Sequence, residues 1–85
     1  MYEYSTKVIQ EIVLQTEFES VGFNDGLVVA LVNDGETGIK LDVEAEKVYF
    51  VVEEEGEVLY DGVIDRELDA ILNTTTHAYE RLTQN

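Results

Sequence analysis

The chain has 85 residues with no cysteine and no proline, and its 19 acidic residues against five basic ones give a formal net charge of −14. This length predicts one domain, residues 1–85, and the absence of cysteine excludes disulfides, thiolate catalysis and iron–sulfur clusters. Because 45% of the residues are hydrophobic, we expect the charge to lie on a folded body and not on a disordered acidic tail.

No segment of the sequence is predicted to enter a membrane. The longest apolar run, residues 27–32, is far shorter than the roughly 20 residues that span a bilayer. Residues 1–5 lack the basic region and the apolar core of a signal peptide. We therefore expect a cytoplasmic protein, or one of the host cytoplasm if a phage encodes it. Its acidity disfavours direct contact with nucleic acid or anionic membranes.

Two periodic patterns compete in the N-terminal segment. Apolar residues at helical spacing are Val8, Ile9, Ile12 and Val13. They predict a helix over residues 6–15, with Ser5 or Thr6 as its N-cap. Apolar and β-branched residues also recur at even positions from 2 to 18, which is the period of a strand. The helix is favoured, and the strand stays open for residues 2–18.

The central part of the chain predicts an antiparallel meander of three to four strands. Residues 27–32 are continuously apolar, which is typical of a strand covered on both faces. Residues 39–43, 47–52 and 58–64 contain the alternating or β-branched patterns of further strands. Loops are predicted at residues 33–38, with Gly35 and Gly38 at positive φ, and at residues 53–57 around Gly56.

The C-terminal segment predicts a second helix with Asp65 as its N-cap. An apolar stripe at helical spacing contains Leu68, Ile71, Leu72, Thr75, Tyr79 and Leu82. His77 lies away from this stripe, so we expect it to face solvent. The predicted fold class is α+β: an N-terminal helix, an antiparallel meander of three to four strands, and a C-terminal helix packed on the sheet.

The sequence contains no recognisable set of catalytic or cofactor-binding residues. One histidine without cysteine cannot form a usual structural zinc site. The acidic loops lack the spacing of an EF-hand, and the six glycines form no phosphate-binding loop. We therefore predict no catalytic residue, no cofactor and no metal, and a protein that is not an enzyme.

The uneven distribution of charge is the main indication of function. Residues 34–69 contain thirteen acids and three bases, a net of −10, whereas the last sixteen residues are neutral. Because an acidic patch attracts basic surfaces, we predict a protein that binds a basic partner. The predicted contact residues are seven acids, Asp42, Glu44, Glu53, Glu54, Glu55, Glu57 and Asp61, with Tyr49 and Tyr60 as anchors.

Three hypotheses explain this acidity. The favoured one is a DNA mimic, an inhibitor whose carboxylates replace phosphates in the basic groove of a nucleic-acid-binding protein or nuclease. Small phage or plasmid inhibitors of restriction, repair and CRISPR nucleases work in this way, and the analogy covers size, charge and mixed α/β character alone. The alternative is an adaptor or assembly subunit that binds a basic partner, or that homodimerises through its aliphatic N-terminal segment. The third is adaptation to high salt.

Overall fold

A computed structural model describes residues 3–32 and 36–84. It contains a five-stranded antiparallel sheet, which one helix precedes and another follows in the sequence. The elements are α1 (Glu3–Gln15), β1 (Ser20–Asn24), β2 (Leu27–Val32), β3 (Thr37–Asp42), β4 (Val48–Glu54), β5 (Glu57–Ile64) and α2 (Leu68–Thr83). Each strand pairs with the next one along the chain. The predicted α+β class is confirmed, and the meander has one strand more than the predicted maximum.

The hydrophobic core lies between the helices and one face of the sheet, the inner face. Alternate strand residues supply it because successive side chains point to opposite faces. Its strand residues are Val28, Ala30, Val32, Ile39, Leu41, Val48, Phe50 and Val52, and the helices add Val8, Ile12, Ile71, Leu72 and Ala78. The opposite, outer face is covered by neither helix, so its side chains are half-buried or exposed. The prediction that residues 27–32 are covered on both faces is therefore wrong.

Helix α1 begins at Glu3, so the strand alternative for this segment is wrong over the described residues 3–15. Ser5 is not an N-cap residue, because it lies buried within the first turn. Its amide and its hydroxyl donate to the Glu44 carboxylate at 3.1 and 2.5 Å. Val13 was assigned to the core face, yet 57% of it is exposed. Residue 2 lies outside the described residues.

Two of the hairpins turn through only two residues each. Asp25 and Gly26 have φ of 52° and 82°, and Glu55 and Gly56 have φ of 53° and 86°. Two positive φ values in succession are typical of type I′ turns, which match the twist of the strands and favour glycine at the second position. The first turn joins β1, which the sequence analysis did not predict, to β2. The second shortens the predicted loop of residues 53–57.

Gly38 lies within β3 and not in the predicted turn, whose residues 33–35 fall outside the described part of the chain. Strand β2 approaches it so closely that an added Cβ would lie 2.1 Å from the Ala30 carbonyl oxygen. A glycine in a strand often marks such a close approach of another backbone. Its missing side chain, and not a positive φ, is what the fold uses here.

Helix α2 begins at Leu68, and its N-cap residue is Glu67, which makes no side-chain capping hydrogen bond. The N-cap prediction for Asp65 is therefore wrong, because the Asp65 carboxylate instead pairs with the Lys47 ammonium at 2.7 Å. The predicted apolar stripe is confirmed, and Ala78 joins it in the core. His77 is exposed, as its position off the stripe predicted.

Apolar burial is expected to dominate the attachment of α2, because no side chain caps its first turn. Leu72→Ala should lower the free energy of unfolding by about 2–4 kcal/mol through lost transfer energy and the cavity left behind. The control is His77→Ala on the exposed side of the same helix, which should change it by less than about 0.5 kcal/mol. Urea denaturation measures both, and equal losses would contradict the helical register.

Candidate partner-binding surface

The meander places its turns alternately at two ends of the sheet. The turn of β4 and β5 lies beside the start of β3, where the Gly56 amide donates to the Glu36 carbonyl at 3.3 Å. The Glu55 amide donates to the Thr37 hydroxyl at 3.0 Å. We call this the acidic end and define it by Glu36, Glu53, Glu54, Glu55 and Glu57. The connection between β3 and β4 and the segment before α2 lie at the opposite end.

Two of the three cations within residues 36–69 lie at the opposite end. There the Lys47 ammonium pairs with Asp65, and the Arg66 guanidinium lies 3.5 Å from the Glu44 carboxylate. The third cation, Lys40, lies near the acidic end and contacts the Glu53 carboxylate at 3.1 Å. Within this part of the chain, five glutamates at the acidic end are therefore opposed by one lysine.

Both helices direct their C-termini towards the acidic end. Their N-termini meet at the opposite end, where the Tyr4 hydroxyl donates to the Arg66 carbonyl at 3.3 Å. Further along the helices, the rings of Phe18 and Tyr79 pack edge to face with centroids 5.0 Å apart. A helix C-terminus carries a partial negative charge; α1 has no basic residue in its last turn and adds to the negative potential, whereas Arg81 in the last turn of α2 offsets that of α2.

The structure brings seven of the nine predicted contact residues onto the outer face or the acidic end. The seven are Asp42, Tyr49, Glu53, Glu54, Glu55, Glu57 and Asp61. Asp42 pairs with Tyr49 across β3 and β4. The Tyr49 hydroxyl donates to the Asp61 carboxylate at 3.0 Å, and this hydrogen bond raises the pKa of Tyr49 above its usual value. Tyr49 is thus held by the acids around it.

Glu44 is separated from these seven residues and is already used within the molecule. It lies at the opposite end, where Ser5 and Arg66 hold its carboxylate. The hydrogen bond from the Ser5 hydroxyl lowers the pKa of Glu44, and the Ser5 amide and Arg66 act in the same direction against partial burial. An acid satisfied in this way is poorly placed to contact a partner.

Tyr60 is also separated from the predicted surface, because it lies on the inner face. It pairs with Val52 and not with Tyr49, and its ring packs edge to face on Phe50 with centroids 6.1 Å apart. The Tyr60 hydroxyl is buried and has no hydrogen-bond partner among the described residues. Tyr60 is therefore part of the core boundary and not a surface anchor.

Exposed apolar side chains lie among the acids of β4 and β5, and of these Tyr49 alone was predicted from the sequence as a surface residue. They are Tyr49, Val58, Leu59 and Val63 on β4 and β5. A register shift opposite Val52 and Glu53 sets Val58 against Glu53, an outer-face position. Such a bulge re-aims side chains locally. The sequence signal for these exposed apolar side chains was the consecutive pair Val58 and Leu59. A strand with one buried face would instead alternate apolar and polar residues.

A shallow groove of about 400 Å³ opens on the outer face next to the acidic end. Its lining residues are Asn24, Val29, Leu31, Glu36, Gly38, Lys40, Glu53 and Gly56. Its floor contains the apolar Val29 and Leu31, and its rim contains the Lys40–Glu53 ion pair. Its volume lies at the lower end of the range of small-ligand pockets and also accommodates one or two side chains of a partner.

The comparisons with known proteins found no matching family model, curated protein or solved structure. Within residues 3–32 and 36–84, no three histidine, aspartate or glutamate side chains come together as metal ligands would. No helix in the same part of the chain is long and apolar enough to cross a membrane. The charges and exposed side chains of the surface are therefore the features from which a function can be inferred.

The Glu44 contact should make stability depend on pH in a defined direction. Its pKa is lower in the folded chain than the ordinary 4.5, so the contact stabilises fully above 4.5 and is lost as pH falls through the folded-state value. Glu44→Gln should lower the Tm at pH 7, and the difference from wild type should shrink as the pH drops below 4.5, followed by circular dichroism. The control is Glu46→Gln in the same connection. A pH-independent difference would contradict the ion-pair interpretation.

The unpaired Tyr60 hydroxyl should make one conservative substitution favourable. Tyr60→Phe keeps the ring on Phe50 and removes a buried polar group, so the free energy of unfolding should stay equal or rise by about 1 kcal/mol. Tyr49→Phe, which removes an exposed hydroxyl bonded to Asp61, is the comparison and should not stabilise. Urea denaturation distinguishes the two. A loss of more than about 1 kcal/mol for Tyr60→Phe would mean that its hydroxyl is hydrogen-bonded in solution.

Proposed function

We propose that this protein is an inhibitor that binds a basic, nucleic-acid-binding surface of another protein through its acidic end and the adjoining outer face. The observation that carries the proposal is the group of five glutamates at the acidic end, four of them exposed, where Lys40 is the one cation from residues 36–69. The C-terminus of α1, which has no basic residue in its last turn, lies towards the same end and adds to its negative potential. Electrostatic complementarity of this kind speeds association and selects basic partners.

The spacing of the acids supports mimicry of a phosphate backbone. Same-face residues of a strand repeat at about 6.6 Å, and neighbouring strands lie about 4.8 Å apart. Outer-face acids on β3, β4 and β5 are Asp42, Glu53 and Asp61. They continue into Glu54, Glu55 and Glu57 at the turn. Along the strand direction the three outer-face acids lie at successive two-residue steps, level with Tyr49, Val51 and Glu53 of β4, so a basic groove meets carboxylates at regular steps, together with Tyr49 as an exposed aromatic anchor.

A second candidate function is an adaptor or assembly subunit without nucleic-acid mimicry. It is favoured by an apolar patch on α1, where Val13 is 57% and Leu14 77% exposed next to Ile9. Patches of this kind mark contacts with other proteins or with a second copy. The patch lies on a helix and away from the outer sheet face, so the two functions use different surfaces.

Charge reversal at the acidic end tests the proposal. Glu54→Lys with Glu57→Lys should weaken binding to a basic partner by roughly tenfold for each reversed charge. The control is Asp69→Lys with Glu80→Lys on the exposed side of α2, which makes the same change in net charge and should have a much smaller effect. Isothermal titration calorimetry at two salt concentrations measures both, on variants whose circular dichroism matches the wild type.

Competition with nucleic acid separates the two functions. The partner, once identified by affinity capture, should bind either this protein or its nucleic acid, and binding of this protein should weaken steeply with added salt. A ternary complex of the partner, its nucleic acid and this protein would exclude the inhibitor and leave the adaptor. Equal weakening by the α2 control would show that net charge, and not the acidic end, determines binding.

A further inference from the structure

Strand β5 is an open edge of the sheet. It is the last strand in the order and is the longest, with eight residues from Glu57 to Ile64. Helix α2 lies over β2, β3 and β4, so the side of β5 away from β4 faces solvent. An edge strand presents a row of unpaired backbone N–H and C=O groups, which is a template for a strand from another chain.

Part of this edge is protected against such pairing and part is not. The register shift opposite Val52 and Glu53 interrupts the first half of β5, and bulges of this kind disfavour edge pairing. Residues 60–64 continue in regular register with β4. Asp61 is the one charged residue among these five. A regular five-residue edge is long enough to pair with a short extended segment.

Apolar side chains line the same edge. Of the seven large hydrophobic residues exposed in the described chain, Val58, Leu59 and Val63 lie on β5, and Tyr49 lies beside them on β4. A hollow of about 350 Å³ opens where β5 ends, between Ile64 and Ala70 of α2 and beside the Lys47–Asp65 pair. On an added strand, outer-face side chains would cover Val63 and an inner-face side chain would occupy this hollow.

The charge of the protein decides what can pair with this edge. Antiparallel pairing of residues 60–64 with a second copy would bring two Asp61 carboxylates close together, on chains that each carry −14. Repulsion between these two carboxylates, in an interface that is partly desolvated, opposes pairing of two copies through β5. A segment that places a lysine or arginine opposite Asp61 gains attraction at the same position.

We propose that residues 60–64 of β5 bind an extended segment of the partner protein as a sixth strand. The segment alternates basic residues on the outer face, opposite Asp61 and with their aliphatic stems over Val63, with apolar residues on the inner face, beside Ile64 and the hollow next to Ala70. Main-chain hydrogen bonds then supply affinity, and alternate side chains supply selectivity. The inference rests on the proposed function in one respect, that the partner is basic, and it names how that partner is held.

The probe for this inference is a blocked seven-residue peptide that alternates lysine and valine. It is compared with the same peptide N-methylated along one edge, which keeps the charge and prevents main-chain pairing. The parent peptide should bind and slow hydrogen exchange of amides within residues 60–64, observed by nuclear magnetic resonance. The methylated peptide should bind at least tenfold more weakly. Equal binding of both peptides would overturn the sixth strand.

A pair of matched variants locates the contact. Val63→Lys, at a side chain 59% exposed, should weaken peptide binding at least tenfold, whereas Val13→Lys on α1, 57% exposed, should change it less than twofold. Both substitutions add one positive charge at a site of equal exposure, so a difference reports position alone. Equal effects, or a parent peptide that does not bind in 150 mM salt, would overturn the inference.

Two further outcomes separate this inference from its premise. If Glu54→Lys with Glu57→Lys abolishes binding of the basic partner while Val63→Lys leaves it unchanged, the proposed function stands and the sixth strand is overturned. If sedimentation equilibrium detects a dimer that Val63→Lys dissociates, the edge binds a second copy and the inference is overturned in favour of self-association.

Discussion

The carboxylate of Glu44 connects three parts of the chain that are distant in sequence: the first turn of α1, the connection between β3 and β4, and the segment before α2. The placement of the two helix N-termini beside each other depends on this contact. The carboxylate accepts hydrogen bonds from the amide and hydroxyl of Ser5, 39 residues away, and lies 3.5 Å from the Arg66 guanidinium. Arg66 in turn donates from Nε to the Val43 carbonyl at 2.7 Å and stacks on the Tyr4 ring at 4.4 Å. One acid thus satisfies the first turn of α1 and anchors the segment before α2.

This arrangement distinguishes the two ends of the molecule by how their acids are paired, and not by their net charge. Because the helix N-termini meet at Glu44 and Arg66, the positive ends of both helix dipoles lie beside the cluster that contains this anion. The C-termini and the turn of β4 and β5 lie at the other end, where Glu53 pairs with Lys40 and Glu54, Glu55 and Glu57 are exposed. The same contact that stabilises the fold therefore removes Glu44 from the candidate surface.

Acidity also makes an open, apolar edge compatible with a monomer. A long edge strand with exposed Val58, Leu59 and Val63 is usually a site of self-association. Because each chain has a net charge of −14, repulsion between copies opposes this self-association, and the edge itself stays uncovered. The edge then stays accessible to a partner of opposite charge. In the complex that we propose, charge would exclude like chains and apolar contacts would hold the basic partner.

Local patterns in the sequence predicted much of the fold. The stripe of α2 and the alternation of Ile39 and Leu41 in β3 were correctly interpreted, because periodicity depends on neighbours within one element. Strand β1 was missed because Val21 and Phe23 are its only apolar residues, although Asp25 and Gly26 form a strong hairpin signal. The acids of residues 53–57 could be recognised as a group because they are neighbours in the sequence.

The tertiary structure decided the properties that depend on residues far apart in sequence. It placed Tyr60 on the inner face, separated Glu44 from the other acids and exposed Val63 on an open edge. The sequence by itself determined the class of fold, the amount of charge and the segment that carries it, since these follow from composition and short-range period. Register, strand order and the partner of each carboxylate were settled only by long-range pairing, because a shift of one residue in a strand reverses which face every side chain occupies.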